Sequence, residues 1–229
     1  MSSAAEGIVV AIDGTSGSGK SSTSRGVADR LGLRYLDTGA MYRAMTWWML
    51  RHDVDVHDPD LVAARCGEPL IESGTDPLGP TIRVDGEDVA TAIRQPDVNA
   101  AVSPVSAVPR VRARLLGIQR AAIEAALAGA GIVVEGRDIG SVVWPEAPVK
   151  VYLSADASAR ATRRATEEGG SDVDSTRESL LARDQIDSGR TVSPLVMVDG
   201  AVHIDTTAYS LDEVIDQVVA LVGLVRSDA

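Results

Sequence analysis

Residues 14–21 (GTSGSGKS) constrain the fold of this chain more than any other segment. They match the pattern G-x-x-x-x-G-K-[ST], follow an apolar run over residues 7–13, and precede apolar positions at helical spacing between residues 20 and 31. A buried strand, a glycine-rich turn and a helix form the context in which backbone N–H groups can surround phosphate oxygens. The segment therefore predicts a P-loop that binds a nucleoside triphosphate, with ATP as the expected one.

Each position of this loop has a physical task. The glycines let the backbone approach the phosphates closely, Lys20 is expected to reach the β and γ phosphates, and the Ser21 hydroxyl is expected to ligate Mg²⁺. ATP and Mg²⁺ are thus the predicted cofactors. The candidate donor contacts are Gly14, Thr15, Ser16, Gly17, Ser18, Gly19, Lys20, Ser21 and Ser22.

The rest of the chain alternates strand-like and helical stretches. Further strand patterns lie at residues 34–37, 132–135 and 149–153, and helical patterns lie at residues 40–50, 109–127 and 211–225. Strands that alternate with helices favour a parallel sheet covered on both faces. We therefore expect an α/β fold of the P-loop NTPase type, with the sheet sandwiched by helices in a single domain over residues 1–229.

Two segments interrupt that alternation. Residues 58–99 contain five prolines and a β-like piece at 81–84 before the turn Asp85-Gly86, which predicts a small β-rich inserted lobe. Residues 155–190 are rich in charge and are broken by Gly169-Gly170, which predicts a helix, a link and a second helix. Such a segment is typical of a helical lid.

Composition excludes several classes of protein. The net charge of −11 argues against a broad nucleic-acid or anionic-membrane surface, and no apolar run reaches the roughly 18 residues that a membrane span needs. A single cysteine, Cys66, excludes an internal disulfide and a cysteine-based zinc cluster. The first seven residues do not read as a secretion signal, so we expect a cytoplasmic protein.

A P-loop alone leaves GTPases, motor-like ATPases and small-molecule kinases open. No N-K-x-D motif for reading guanine occurs in the chain, which argues against a GTPase. The apolar residues 132–134 followed by Glu135 could imitate the acid-ended strand of ATPases. However, Arg137 and Asp138 come directly afterwards, which favours contact with a second substrate.

Several motifs then give a specific likeness. Residues 37–43 (DTGAMYR) follow the second predicted strand, and further matching segments are residues 84–89 (VDGEDV), 109–112 (PRVR) and 136–138 (GRD), with Arg183, Asp187 and Arg190. Over essentially its whole length the sequence resembles the bacterial cytidylate kinases. The resemblance implies a nucleoside-monophosphate-binding insertion, a lid, and transfer of the γ-phosphate of Mg-ATP to CMP or dCMP. It also implies a monomer.

The resemblance further implies a role for each matching residue. Ser103, Arg112 and Asp138 would face the cytosine edge, with Thr38 also at the substrate. Asp187 and Arg183 would hold the ribose, while Arg43, Arg137 and Arg190 would hold the acceptor phosphate. Arg160 and Arg164 are the candidate lid contacts to the donor phosphates, and spacing alone does not separate them from Arg163. The expected catalytic set is Lys20, Arg137, Asp138 and Arg190.

Each arginine group also has a plainer interpretation. Arg112 could belong to a solvated helix face, the motif around Asp187 could be a surface ion-pair ladder, and Arg137 and Asp138 could form a structural pair. The lid arginines could pair with Asp156, Glu167 or Glu168. At the level of function, the alternatives are a kinase for UMP, AMP or shikimate, and a nucleotide-dependent switch without acceptor chemistry.

Overall fold

A computed structural model describes residues 7–167, 170, 172–189 and 194–227. Within these ranges the chain forms strands and helices in an alternating order, interrupted by a small antiparallel sheet. The elements are β1 Ile8–Gly14, α1 Lys20–Leu31, β2 Arg34–Asp37, α2 Thr38–Arg51, α3 Pro59–Arg65, β3 Ile71–Ser73, β4 Ile82–Val84, β5 Glu87–Asp88, α4 Pro96–Ala107, α5 Pro109–Leu127, β6 Gly131–Glu135, β7 Val149–Ser154, α6 Ala157–Glu167, α7 Val173–Ser188, β8 Val202–Asp205 and α8 Leu211–Ser227.

The main sheet has five parallel strands in the order β2-β6-β1-β7-β8. Successive residues of β1 point to opposite faces, so Val10 packs with α1 and α8 while Val9 and Ala11 pack with α2 and α5. All seven residues of β1 are buried, as expected for a central strand with helices on both faces. The predicted α/β fold with a helix-covered parallel sheet is confirmed.

The predicted insertion at residues 58–99 contains the second sheet. Strands β3, β4 and β5 pair in an antiparallel order, and their buried residues Ile82 and Val84 join the core that also contains Met45 of α2. The insertion also holds α3, whose start is fixed by Asp58, because its carboxylate accepts the backbone N–H groups of the first turn. The small sheet thus packs against the helix that follows the second strand.

The elements that were not predicted from the sequence include helix α4 and strand β8. Helix α4 carries Pro96 in its first turn, where a missing N–H costs nothing, and Pro104 in its interior. Strand β8 adds to the edge of the main sheet beside β7, and only Ile204 of its four residues is buried. The sequence did not reveal α4, because its prolines obscure the helical pattern, or β8, because a short edge strand lacks an apolar run.

Helices α6 and α7 lie within the segment predicted as a lid and pack against each other. Their movement over bound nucleotide stays a prediction. Across the described part of the chain, no helix has the length and apolar character that crossing a membrane requires. The parallel strands β1, β2 and β6 end at one edge of the sheet, where open α/β sheets hold their ligands.

Candidate active site

The turn between β1 and α1 has the backbone geometry of a phosphate-binding loop. Gly17 and Gly19 have φ angles of 76° and 85°, a region that residues with a side chain rarely adopt. Gly19 caps the N-terminus of α1, so the positive end of that helix faces the loop. The Lys20 ammonium donates to the Thr15 carbonyl oxygen at 2.6 Å, and the Ser18 hydroxyl donates to the same oxygen at 2.9 Å.

Ser21 lies at the start of α1 and faces the end of β6. Its hydroxyl donates to Oε1 of Glu135 at 2.7 Å, although 114 residues separate the two. Ser22, the next residue, is exposed. The neighbouring strand places Asp37 opposite Glu135 in the parallel register, and the Thr38 hydroxyl donates to the Glu135 carbonyl oxygen at 2.7 Å. Glu135 therefore contacts the predicted magnesium ligand, and Asp37 lies beside Glu135 on the neighbouring strand.

Glu135 is buried, with 4% of its surface exposed. The pKa of this carboxyl is raised to about 8, chiefly by burial and also by the nearby Asp37, although Lys20 and hydrogen bonds with Ser21 and Tyr35 lower it. Its second oxygen, Oε2, lacks a hydrogen-bond partner among the described residues. One carboxylate oxygen of Glu135 therefore contacts the P-loop serine while the other accepts no hydrogen bond from the described residues, an arrangement suited to a cation or to water held by one.

A cleft opens beside the P-loop at the carboxyl ends of β2 and β6. Side chains from α2, α4, α5 and α7 enclose it together with the segment that follows β6. Its lining residues are Lys20, Asp37, Thr38, Gly39, Tyr42, Val102, Ser106, Arg112, Glu135, Gly136, Arg137, Asp138 and Asp187. The P-loop lysine and several residues predicted to bind the acceptor therefore share one space.

Arg112 and Asp138 form a buried ion pair at one end of this cleft. Their side chains are 8% and 7% exposed, and one guanidinium nitrogen of Arg112 contacts an Asp138 oxygen. The other terminal nitrogen donates to the Ser106 carbonyl oxygen at 3.2 Å, while the guanidinium lies 5.3 Å from the centre of the Tyr42 ring. Arg112 is thus not on a solvated helix face.

Arg137 and Asp187 form a second ion pair in the cleft. Arg137 Nε donates to a carboxylate oxygen of Asp187 at 3.1 Å, and Asp187 is 2% exposed. Asp187 lies on α7, so the pair joins the segment after β6 to the predicted lid. The cleft therefore places a carboxylate beside a guanidinium at both ends, a pattern that can hold a base edge, hydroxyl groups and phosphate at once.

Comparison with known proteins decides the family. A family model described as "Cytidylate kinase" matches residues 10–223. The chain belongs to the cytidylate kinase family. The cytidylate kinase of Streptomyces coelicolor is 58% identical over 218 residues, which cover 95% of this chain and 94% of that protein. The one of Streptomyces griseus is 54% identical over 222 residues, covering 97% and 95%.

A solved structure supports the fold of this cytidylate kinase family member. An uncharacterized protein from Eubacterium ventriosum superposes with a TM-score of 0.51 at 12% sequence identity, and the match covers 95% of this chain and 98% of that one. At this identity the likeness supports the fold alone. The assignment to the family rests on the sequence matches.

Four further residues predicted to bind the acceptor are Ser103, Arg43, Arg183 and Arg190, and of these Ser103 and Arg43 do not line the cleft. Ser103 is buried on α4, and its carbonyl oxygen accepts from the Ser106 hydroxyl at 3.0 Å. Of the two serines, Ser106 is the one whose carbonyl oxygen accepts from Arg112. Arg43 donates to the Asn99 side chain and, at 3.4 Å, to the Ile93 carbonyl oxygen. Arg183 lies on α7, and Arg190 is outside the described residues.

The lid arginines do not all face the same partner. Arg160 donates to the Ser16 carbonyl oxygen at 2.9 Å and pairs with Asp184 of α7. Asp184 in turn accepts the Ser16 backbone N–H at 3.0 Å. Arg163 donates to the hydroxyl and the carbonyl oxygen of Thr206, at 2.9 Å and 2.7 Å. The predicted lid therefore touches the P-loop through Arg160 and Asp184, and Arg160 is one of the two arginines, with Arg164, that the sequence analysis gave as candidate contacts to the donor phosphates.

Arg164 lies half-buried on the same helix, α6.

Two residues that contribute to the site were not assigned their places from the sequence. Glu135 had been noted as an acid that ends an apolar strand, as in ATPases, but Arg137 and Asp138 after it favoured contact with a second substrate, so its place beside Ser21 was not predicted. Asp184 gave no signal of its own, because its contact with Ser16 spans 168 residues.

Proposed function

We propose that this member of the cytidylate kinase family transfers the γ-phosphate of Mg-ATP to CMP or dCMP, giving ADP and the nucleoside diphosphate. The observation that carries the proposal is the single cleft lined by Lys20 of the P-loop and by the ion pair Arg112–Asp138. A switch protein needs no second anion pocket beside its P-loop. A donor site and an acceptor site in one cleft fit a kinase.

The ion pair offers the right groups for cytosine. The base presents an exocyclic amine donor beside ring N3 and O2 acceptors, so Asp138 can accept from the amine while Arg112 donates to the acceptors. Uracil presents a carbonyl oxygen in place of the amine, which would face the Asp138 carboxylate. This mismatch favours CMP over UMP. Ser103 or its neighbour Ser106 would add a hydroxyl at the same edge.

The second ion pair would hold the sugar and the acceptor phosphate. Asp187 can accept hydrogen bonds from ribose hydroxyls, and the guanidinium of Arg137 can turn from Asp187 to the phosphate. By the family likeness, Arg43 and Arg190 would join at the phosphate and Arg183 and Thr38 near the nucleoside. Three arginines around one phosphate would neutralise its charge before the transfer.

The residues around Ser21 fit a magnesium ion. The Ser21 hydroxyl would be a direct ligand, and the carboxylates of Glu135 and Asp37 would accept from water held by the ion. The unpartnered Glu135 Oε2 supports this fit, because a buried carboxylate oxygen otherwise lacks compensation. When bound with ATP, Mg²⁺ neutralises charge on the β and γ phosphates.

The protein's own groups would then position the reactants. A phosphate oxygen of CMP attacks the γ-phosphorus in line, and the bond to the β-γ bridging oxygen breaks, leaving ADP. The acceptor phosphate has a second pKa of roughly 6 and is largely a dianion at neutral pH, so no general base is required. Lys20, Arg137 and Arg160 would hold the donor and acceptor phosphates, and closure of α6 and α7 would exclude water.

We further propose a monomer that acts in the cytoplasm, in line with the family likeness and the sequence analysis. Steady-state ADP formation from ATP tests the proposed function, with CMP, dCMP, UMP and AMP offered in parallel as acceptors. CMP and dCMP should give the highest kcat/KM values. Absence of turnover with CMP, or faster turnover with AMP, would reject the proposal.

A further inference from the structure

Asp13 carries the last side chain before the P-loop, and its carboxylate binds the segment that follows β6. It lies in β1 and is 6% exposed. One carboxylate oxygen accepts the backbone N–H of Ile139 and the other accepts that of Gly140, both at 2.8 Å. These two amides come directly after Asp138, the residue that faces the cytosine edge in the proposed function.

The segment before Asp138 is held by the same strand. The Gly136 N–H donates to the Ile12 carbonyl oxygen at 3.0 Å. Residues 136–140 are therefore hydrogen-bonded to β1 at both ends. Gly136 donates to the main chain of Ile12, and Ile139 and Gly140 donate to the Asp13 carboxylate. Arg137 and Asp138 lie between these anchors, and their side chains enter the cleft.

A carboxylate is costly at this position. The pKa of Asp13 is raised to about 6, chiefly by burial and also by Asp138, although the two N–H groups and Lys20 lower it. An amide or hydroxyl side chain would avoid most of this cost, but neither can accept from two N–H groups through two separate oxygens. The positions of the two N–H groups thus explain why residue 13 is an aspartate.

We propose that Asp13 is a positioning residue that sets the place of Arg137 and Asp138 relative to the P-loop. The proposal rests on the proposed function, because it assigns those two residues to the acceptor nucleotide. Through Asp13, the strand that starts the donor loop also fixes the acceptor-reading segment. A shift of that segment would move the base and phosphate of CMP away from the γ-phosphate of ATP.

The test compares two substitutions that make the same chemical change. Asp13→Asn keeps one acceptor oxygen but turns an NH₂ group towards the other backbone N–H. Asp58→Asn is the control for loss of charge alone, since this half-buried carboxylate accepts two N–H groups at the start of α3, at 2.9 Å and 3.1 Å, through a single oxygen that asparagine retains. Each variant is assayed for the KM of CMP, for kcat, and for ATP affinity by calorimetry.

For Asp13→Asn we expect the KM of CMP to rise by about tenfold or more, as for loss of a hydrogen bond to a charged group, with ATP affinity nearly unchanged. Asp58→Asn should change neither constant. An unchanged KM for CMP, or an equal loss of ATP affinity, would overturn the proposal. A merely structural role predicts the second result, because general loosening affects both nucleotides.

Hydrogen exchange supplies a readout that does not depend on turnover. In Asp13→Asn, amides in residues 136–143 should exchange faster than in the wild type, while peptides covering residues 14–21 should be unaffected. Unchanged exchange in residues 136–143 would overturn the proposal even for a variant that folds poorly. If the wild type itself fails to use CMP, the proposed function is rejected, and exchange still decides whether Asp13 anchors the segment.

Discussion

The most informative perturbation is removal of the buried Arg112 guanidinium by Arg112→Met. Its partner Asp138 would keep a charge without compensation in a site where both side chains are less than a tenth exposed. Breaking a buried ion pair on one side costs about 3–5 kcal/mol of stability. Loss of a hydrogen bond from Arg112 to the base should reduce kcat/KM for CMP by about 10- to 150-fold, which corresponds to about 1.5–3 kcal/mol.

The double variant Arg112→Met/Asp138→Asn separates base reading from a structural pair. Removing both charges should restore most of the lost stability, because no unpaired charge stays buried. If the pair reads cytosine, kcat/KM for CMP stays low although the protein is stable again. Arg110→Met is the matched control, an exposed arginine on the same helix, and it should change stability by less than about 0.5 kcal/mol.

Urea unfolding measures stability in this cycle, and steady-state kinetics with CMP and ATP measure function. Throughout the series the KM of ATP should stay close to that of the wild type, because the P-loop is intact. Recovery of CMP turnover in the double variant would refute the reasoning. The pair would then be the structural pair that the sequence also allowed.

Three further predictions concern the donor side, pH and the backbone. Arg160→Met should weaken ATP binding about tenfold and leave CMP binding unchanged, since a guanidinium at the P-loop is lost; titration with each nucleotide checks this, and equal losses contradict it. Because burial raises the pKa of Asp13 from 3.8 to about 6, the folded state binds that proton more tightly than the unfolded chain. The contribution of Asp13 to stability is therefore lost as pH rises through about 6, by up to about 3 kcal/mol. Urea unfolding between pH 4 and 7 should show a weaker dependence of stability on pH for Asp13→Asn than for the wild type. An equal dependence in the two proteins would contradict this prediction. Gly14→Ala places a Cβ 1.9 Å from the Leu153 carbonyl oxygen at a φ of +145° and should lower the free energy of unfolding by more than about 3 kcal/mol. Gly117→Ala, in open space on α5, should raise that free energy by about 1 kcal/mol. Thermal unfolding measures both, and a tolerated Gly14→Ala would rule out this strand geometry.

Local patterns predicted the parts of the fold that depend on neighbouring residues. The apolar run of β1, the glycines of the loop and the helical spacing of α1 all lie within one continuous stretch, so they could be interpreted together. Strand β8 could not, because its place beside β7 comes from pairing across the sheet and only Ile204 supplies buried apolar surface. Helix α4 was missed because Pro96 and Pro104 resemble the loop residues of the insertion.

The site divides in the same way. The motif around Lys20 and the likeness carried by Arg112 and Asp138 pointed to several of the residues that line the cleft, and the structure brings these together. The partners of these residues were not predictable. The hydrogen bond from Ser21 to Glu135 depends on how α1 packs against the end of β6. Such long-range packing produces no periodic pattern in the sequence.

Transfer of a labelled γ-phosphate tests the central claim most directly. ATP labelled at the γ-phosphate is incubated with the protein, Mg²⁺ and CMP, and the nucleotides are separated. We predict that the label appears at the β position of CDP, with little released as inorganic phosphate, because the acceptor in the cleft replaces water. Label found mainly in inorganic phosphate, at a rate independent of CMP, would contradict a kinase that joins its P-loop to a cytidylate site.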